Sequence, residues 1–340
     1  MKWYFFIAFH LILPLFIVTL VPSESSLETK TSLKKHKPIA ITSNDDFTKP
    51  GAEIGCGCVT AGSGTAKAPY IIENWDIETP STYGIYVEET SAHFIIRDVR
   101  VYGVNDPRFK GIFMRDVKNA HKIEKSTIER NSGTGIFLRN ATNIALIGNT
   151  IKNNGPVGIG LFGGSGNTLK DNIITGNSWG IRVDGSKGNT ISGNEVTGNM
   201  LGMFLRGIDN IYTNNKINNN KDGGVNMDTS RKSKFTGNNV CNNGKWGIAL
   251  YNSTDNVVEK NTVCENKDGG IYIQGSDKNA VTNNKIIVDK KEKAVYIGQQ
   301  SKQNRVSDNT VTVSPVKDKS SNKAEEKKGD SGSPGSTKTN

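Results

Sequence analysis

Proline is scarce in this chain of 340 residues, with only ten copies, which excludes a collagen-like or proline-rich fibrous protein. The four cysteines are too few to form a disulfide scaffold and too scattered along the sequence for a zinc ribbon. The sequence is instead rich in Asn and Gly, with 38 and 37 copies, and both residue types disfavour helices. A bundle of long helices is therefore excluded.

The net charge of +10 is spread along the chain rather than gathered in one place. About half of the excess lies in the terminal segments 1–38 and 315–340, and the body between them has no block of Lys or Arg. A nucleic-acid site requires a concentrated basic patch. We therefore predict no nucleic-acid partner.

The two ends of the chain differ in composition from the body. Residues 3–21 are mostly apolar after a basic start, which predicts a signal peptide over residues 1–23, with an uncleaved N-terminal membrane anchor as the alternative. Residues 24–38 are polar and basic, as in a linker, and residues 315–340 lack aromatics, as in a disordered tail. We expect a secreted or cell-envelope protein that contacts a membrane only through its N-terminal segment, if that segment is retained.

The body is built from a short repeat in which Gly is followed by apolar residues at the first and third positions. Successive copies are 22 to 27 residues apart, and Ala replaces Gly in the last one. The copies start at Gly84, Gly111, Gly135, Gly158, Gly180, Gly202, Gly224, Gly247, Gly270 and Ala294. Short alternating segments at this period are typical of a solenoid, in which each coil stacks on the next.

A second series places Asn at a fixed point between these glycines, as in Asn172, Asn194 and Asn215. Stacked coils would bring these Asn residues together about 4.8 Å apart. We expect each to adopt the left-handed backbone conformation and to hydrogen-bond to the next coil. The sequence thus predicts an all-β fold of about ten three-strand coils over residues 39–314.

The repeat pattern Asn-x-Ile-x-x-Asn-x-x-Gly-Ile-x-Leu resembles that of right-handed parallel β-helix proteins. More narrowly, it is similar to the NosD-like branch and to the carbohydrate-binding and sugar-hydrolase, or pectin-lyase-like, repeats. Residues 39–47, 62–65 and 69–74 look like the capping first coil of this group. The resemblance implies a right-handed, single-stranded parallel β-helix with an N-terminal cap.

The second and fourth residues after each repeat Gly alternate with the apolar ones and should face solvent. Aromatic rings beside Arg on such a face suit sugar rings, and Arg can hold carboxylates, so we expect a polysaccharide or cell-surface glycan, acidic polymers included. The alternative is a structural surface with a solvated charge ladder. The candidate binding residues are Tyr86, Phe113, Arg115, Phe137, Arg139, Trp179, Arg182, Phe204, Tyr251 and Tyr272.

Catalysis has weaker support than binding. Asp184, Arg206 and Asp228 are 22 residues apart and could share a groove, as a lyase, hydrolase or epimerase requires. Residues 104–109 resemble the Asp-Pro-His-Asp motif of alginate epimerases, but Arg108 and Phe109 replace the expected His and second acid. We therefore expect binding without catalysis.

The cysteines allow two further interpretations. Cys56 and Cys58 could bind Cu(I) as thiolates, and the NosD-like resemblance implies an accessory protein that matures copper sites together with other envelope proteins. Otherwise we expect no cofactor. Cys241 and Cys264 are one repeat apart, so they form either a disulfide or a stack of free thiols.

Overall fold

A computed structural model describes residues 32–49 and 56–314. The chain winds as a right-handed parallel β-solenoid of about eleven coils, and almost all regular structure is β-strand. Each coil contributes one strand to each of three long sheets, with twelve strands in the first, twelve in the second and eleven in the third. The predicted all-β parallel β-helix is confirmed.

The first sheet consists of β1 (Lys34–His36), β5 (Trp75–Glu78), β8 (Arg100–Tyr102), β11 (Thr127–Glu129), β14 (Thr150–Lys152), β17 (Ile173–Thr175), β20 (Glu195–Thr197), β23 (Lys216–Asn218), β26 (Asn239–Cys241), β29 (Thr262–Cys264), β32 (Lys285–Val288) and β35 (Thr310–Val313). The second sheet consists of β3 (Val59–Ala61), β4 (Tyr70–Glu73), β7 (Phe94–Arg97), β10 (Lys118–Glu124), β13 (Thr142–Ile147), β16 (Thr168–Lys170), β19 (Thr190–Ser192), β22 (Ile211–Thr213), β25 (Lys234–Thr236), β28 (Val257–Glu259), β31 (Ala280–Thr282) and β34 (Arg305–Ser307).

The third sheet carries the Gly repeats. It consists of β2 (Ile39–Ile41), β6 (Ile85–Glu88), β9 (Ile112–Arg115), β12 (Ile136–Arg139), β15 (Val157–Phe162), β18 (Trp179–Lys187), β21 (Leu201–Ile208), β24 (Val225–Asp228), β27 (Trp246–Tyr251), β30 (Gly269–Gln274) and β33 (Val295–Ile297). Two short 3₁₀ helices, Asn44–Phe47 and Lys291–Lys293, complete the regular structure of the described residues.

The core is a continuous stack of apolar side chains inside the coils. In β12, Ile136 and Leu138 point inward and are buried, as the repeat predicts. The repeat glycines lie where coils approach most closely: a Cβ on Gly135 would lie 2.7 Å from the carbonyl oxygen of Gly158 in the next coil. Any larger residue there would push the coils apart, which explains why Gly opens the repeat.

Buried Asn residues form ladders that run along the solenoid. The backbone N–H of Asn172 donates to Oδ1 of Asn194 at 3.0 Å, and the N–H of Asn194 donates to Oδ1 of Asn215 at 3.0 Å. The prediction about their backbone was wrong, because the left-handed conformation belongs to the preceding residue, such as Asp171 or Asn214. That residue turns the chain, which leaves the ladder Asn free to point its side chain inward.

The N-terminal end contains more structure than the sequence indicated. Strand β1 begins at Lys34, inside the segment interpreted as a linker, and pairs with β5. Strand β3 pairs with β4 in antiparallel orientation, unlike the other strand pairs of the described residues. The expected signal peptide at 1–23, most of the linker and the tail at 315–340 lie outside the described residues. No helix in residues 32–49 or 56–314 is long and apolar enough to cross a membrane.

All four cysteines are paired. Cys241 and Cys264 are register partners in β26 and β29 and form a disulfide between neighbouring coils, with their Cα atoms 4.6 Å apart. This decides between the two interpretations left open by their spacing. Cys56 and Cys58 form a second, buried disulfide across Gly57.

Candidate functional site

The outer face of the third sheet arranges side chains in three columns parallel to the solenoid axis. Strand register aligns the second residue after each Gly in one column and the fourth in another. A further column comes from the residue before each Gly, as in Trp179 and Leu201. Register therefore brings residues about two dozen positions apart within about 4.8 Å of one another. We call this surface the groove face.

The first aromatic stretch of the groove face runs over β6, β9, β12, β15, β18 and β21. Tyr86 and Phe113 have ring centroids 5.5 Å apart, Phe113 and Phe137 are 5.3 Å apart, and Phe137 and Phe162 are 4.9 Å apart. The rings cover one another so well that Phe113 is only 6% exposed. The expectation that Phe113 faces solvent was therefore wrong, because its neighbours shield it.

Arg182 lies in the middle of the groove face among aromatic rings. Its guanidinium carbon is 4.6 Å from the ring centroid of Trp179, 4.7 Å from that of Phe162 and 5.6 Å from that of Phe204. Trp179 and Phe204 are themselves stacked, with centroids 5.3 Å apart. These contacts hold the planar groups in place, because cation–π attraction and stacking restrain the otherwise mobile Arg side chain.

The second aromatic stretch lies on β27, β30 and β33. The ring centroid of Tyr272 is 5.1 Å from that of Trp246 and 5.6 Å from that of Tyr251. Tyr272 is also stacked on Tyr296, with centroids 5.5 Å apart. Tyr296 is half exposed. Burial raises the pKa of Tyr251, which keeps its phenol protonated as a hydrogen-bond donor.

Most of the predicted Arg residues already have carboxylate partners. Arg115 pairs with Glu88, and Arg182 pairs with Asp184 at 2.6 Å. Arg139, in contrast, is exposed and has no ion pair with any described residue. A face with most of its guanidinium groups neutralised is less suited to a highly acidic polymer than the sequence indicated.

The three weak catalytic candidates form one ion-pair ladder. Arg206 contacts Asp184 at 3.7 Å and Asp228 at 2.7 Å. The hydrogen bond to Asp228 raises the pKa of Arg206, which therefore remains a fixed cation. The carboxylates of Asp184 and Asp228 are both paired with this cation. The arrangement is therefore typical of a structural charge ladder rather than of a catalytic acid and base.

In the loop that resembles the epimerase motif, residues 104–109, the charged side chains also pair with each other. Arg108 pairs with Asp106 at 2.5 Å, and this ion pair lowers the pKa of the Asp106 carboxyl. The Phe109 ring packs edge-on against Tyr83, with centroids 5.0 Å apart. Burial raises the pKa of the neighbouring Tyr86, which opposes its use as a base.

The copper candidates lie away from the groove face. In the disulfide form neither Cys56 nor Cys58 is a thiolate, and both side chains are buried. Copper binding through this pair would first require reduction of the bond. One acidic cluster was missed from the sequence: carboxylate oxygens of Glu88, Glu89 and Asp116 lie within 4.8 Å of one another. Arg115 offsets this charge, since it pairs with Glu88 and lies 4.0 Å from Asp116.

Sequence reasoning also missed a concavity between the two aromatic stretches. Its volume is about 150 Å³, and it opens where the central column carries Asn226 and Ala249 instead of aromatic residues. The signal was present in the sequence as two consecutive small or polar residues in that column. The concavity is lined by Leu201, Asp222, Gly223, Val225, Asn226, Lys245, Trp246, Ala249 and Tyr251.

Comparison with known proteins agrees with the fold. The sequence matches the family described as "Right handed beta helix region" over residues 56–207 and 178–311. No curated protein matches it. The solved Dettilon tailspike protein is similar, with a TM-score of 0.52 and 13% identity, over 82% of this chain and 61% of the tailspike. This chain therefore spans less than two thirds of the tailspike's length.

Two solved epimerases show a weaker likeness. The A-module of a mannuronan C-5 epimerase from Azotobacter vinelandii has a TM-score of 0.47 and 15% identity, over 72% of this chain and 80% of that one. A periplasmic alginate epimerase has a TM-score of 0.48 and 15% identity, over 72% of this chain and 85% of that one. Identities this low concern the fold alone. The family matches, in contrast, cover most of the sequence, and the chain belongs to the right-handed β-helix family.

Proposed function

We propose that the groove face binds a polysaccharide chain without cleaving or isomerising it. The observation that carries this proposal is the alignment of two aromatic stretches along one exposed sheet, with Arg182 held among three rings of the first. Aromatic faces stack on sugar rings, and a long regular column suits a polymer that repeats along its axis. The tailspike and the epimerases are similar in fold, which is compatible with this proposal.

The charges support binding over catalysis. Asp184 and Asp228 are both engaged by Arg206, and Glu88 is engaged by Arg115. A general acid or base needs a proton-transfer group that is free to act on the substrate. The same pairing indicates a neutral or weakly acidic polymer, because three of the four Arg on this face already have carboxylate partners.

We further propose that the protein works outside the cytoplasm. The apolar run at residues 3–21 supports export, and the two disulfides support an oxidising compartment, since cytosolic thiols are normally kept reduced. The relevant partner would then be a glycan of a cell surface or of the surrounding medium.

The test is a glycan-binding screen with Trp179→Ala and Phe204→Ala variants of the soluble protein. We expect each variant to weaken binding about tenfold, because each removes one stacking surface. Tyr102→Ala is the matched control, since Tyr102 is an aromatic on the outer face of the first sheet. Equal binding by all three variants and the unaltered protein would reject the groove face, and release of unsaturated or shortened products would show catalysis instead.

A further inference from the structure

The concavity between the aromatic stretches arises from the residues that replace aromatics in two successive coils. Register aligns Phe204, Asn226, Ala249 and Tyr272 in the central column, so two small or polar residues lie between two rings. In the column before the repeat Gly, Gly223 is also small, and a Cβ there would approach only Leu201 and the Trp246 carbonyl, at 3.4 and 3.5 Å. The result is a recess of about 150 Å³.

One wall of the recess is a fixed aromatic corner. Trp246 and Tyr251 both line it, and both rings pack on Tyr272, with centroids 5.1 and 5.6 Å from it. Gly269 is required for this arrangement, because a Cβ at that position would overlap the Trp246 ring. The corner is therefore held by the protein's own packing, and such preorganisation lowers the entropic cost of binding.

The wall of the recess includes a polar side chain, Asn226, whose amide oxygen has no hydrogen-bond partner among the described residues. Oδ1 of Asn226 is buried and accepts no hydrogen bond from any described residue. Buried polar atoms are paired in most proteins, because an unpaired one costs about 1–3 kcal/mol. Because Oδ1 is buried, the amide must turn about its Cβ–Cγ bond to meet a donor group on a bound molecule, such as a hydroxyl or an amide N–H.

The charges at the rim are already neutralised. Lys245 pairs with Asp222 at 2.6 Å, and Asp228 pairs with Arg206 at 2.7 Å. No unpaired cation of the described chain lines the recess, so a carboxylate would enter without a partner. An uncharged ligand fits these surroundings best.

We infer that this recess is a specificity subsite for one uncharged pyranose unit of the bound polysaccharide. The ring packs on Trp246 and Tyr251, and the Asn226 amide turns so that its Oδ1 accepts from a hydroxyl or acetamido N–H. The size agrees, since a volume of about 150 Å³ leaves room for a group larger than a single water molecule. This inference rests on the proposed binding of polysaccharide along the groove face. It adds that an uncharged sugar unit is recognised, and that the recess is where this happens.

The experiment measures dissociation constants for three probes, namely cellohexaose, chitohexaose and hexagalacturonate, by isothermal titration calorimetry. Ala249→Phe fills the recess with a residue type that the same column already accepts at Phe204, so the fold is expected to tolerate it. Asn226→Leu removes the acceptor. The matched controls are Ala280→Phe and Asn239→Leu, on the outer faces of the second and first sheets. Melting temperatures confirm that all variants are folded.

We expect an uncharged probe to bind, with the dissociation constant raised at least tenfold by Ala249→Phe and by Asn226→Leu and unchanged by the controls. Tighter binding of chitohexaose would assign the donor to an acetamido N–H, and tighter binding of cellohexaose to a hydroxyl. Unaltered binding by both recess variants would overturn the subsite and leave the groove face intact if Trp179→Ala still weakens binding. Preferred binding of hexagalacturonate would overturn the uncharged assignment, and no binding of any probe by the unaltered protein would reject both proposals.

Discussion

A single buried histidine couples the stability of the solenoid to pH. His121 in β10 is 1% exposed, and its ring stacks on Phe94 with centroids 4.2 Å apart. Its Nδ1 accepts the Phe94 N–H at 3.3 Å, and its Nε2 donates to the Lys118 carbonyl at 3.1 Å. Burial lowers the pKa of His121 from 6.5 to about 4, with a smaller contribution from the nearby His93.

The folded protein should therefore lose stability on acidification. Between pH 6.5 and 4 the unfolded chain binds a proton at this position and the folded chain does not. The free energy of unfolding therefore has its full value above pH 6.5. It falls by about 3 kcal/mol as the pH approaches 4. Denaturant unfolding at a series of pH values measures this slope.

The variant His121→Gln isolates the contribution of this imidazole. Glutamine can both accept and donate a hydrogen bond but does not titrate, so the step between pH 6.5 and 4 should shrink by about 3 kcal/mol. His36→Gln, at a partly exposed position in β1, is the matched control for the same substitution elsewhere in the fold. A slope that survives in His121→Gln would place the acid sensitivity elsewhere in the molecule.

At the scale of the element, the Asn ladders join successive coils at their turns. Asn194 accepts from the N–H of Asn172 at 3.0 Å and from its Nδ2 at 2.9 Å. Its own Nδ2 donates to the Leu169 carbonyl at 3.0 Å and to Oδ1 of Asn215 at 2.9 Å. One side chain thus satisfies buried groups in the coils on both sides.

We predict that Asn194→Ala lowers the free energy of unfolding by about 3 kcal/mol or more, because it leaves several buried polar groups unpaired. Asn194→Ser should cost less, since Ser233 already occupies a ladder position and accepts the Asn210 N–H at 3.3 Å. Asn239→Ala, which faces outward in β26, should change stability by less than about 0.5 kcal/mol. Chemical denaturation compares the three variants, and equal losses at Asn194 and Asn239 would contradict the ladder's role.

The strands could be predicted from the sequence because one side of each is apolar and the period is nearly constant. Spacing alone also brought Cys241 and Cys264 together. The backbone turns were predicted less well, since the repeat marks both Asp171 and Asn172 as turn residues without showing which one adopts the positive φ of 54° seen at Asp171. The pairing of Arg206 with Asp184 and Asp228 could have been predicted from the 22-residue spacing, which places them on neighbouring strands. The shielding of Phe113 could not, because it depends on the rotamers of neighbouring rings.

At the scale of the whole molecule, each coil contacts mainly the coils next to it, so the solenoid should tolerate the loss of one complete repeat. Residues 179–200 form such a unit, with 22 residues between equivalent points at Trp179 and Leu201, which are register partners. Their removal brings β15 against β21 and reconnects the ladder from Asn172 to Asn215. The core columns keep their alternation, because no strand shifts by an odd number of residues.

We predict that the chain lacking 179–200 folds with an unchanged β-rich circular dichroism spectrum and loses about 1–3 kcal/mol of unfolding free energy. A chain lacking only 179–189 is the control. It should fail to fold, since removing half a coil places turn residues where the neighbouring coils have strands.

The chain lacking 179–200 also lacks Trp179 and Arg182 but keeps the recess around Asn226 and Ala249. Binding of a short uncharged oligosaccharide should therefore persist while binding of long polymer weakens, and loss of both in a folded protein would show that the two aromatic stretches act as one site.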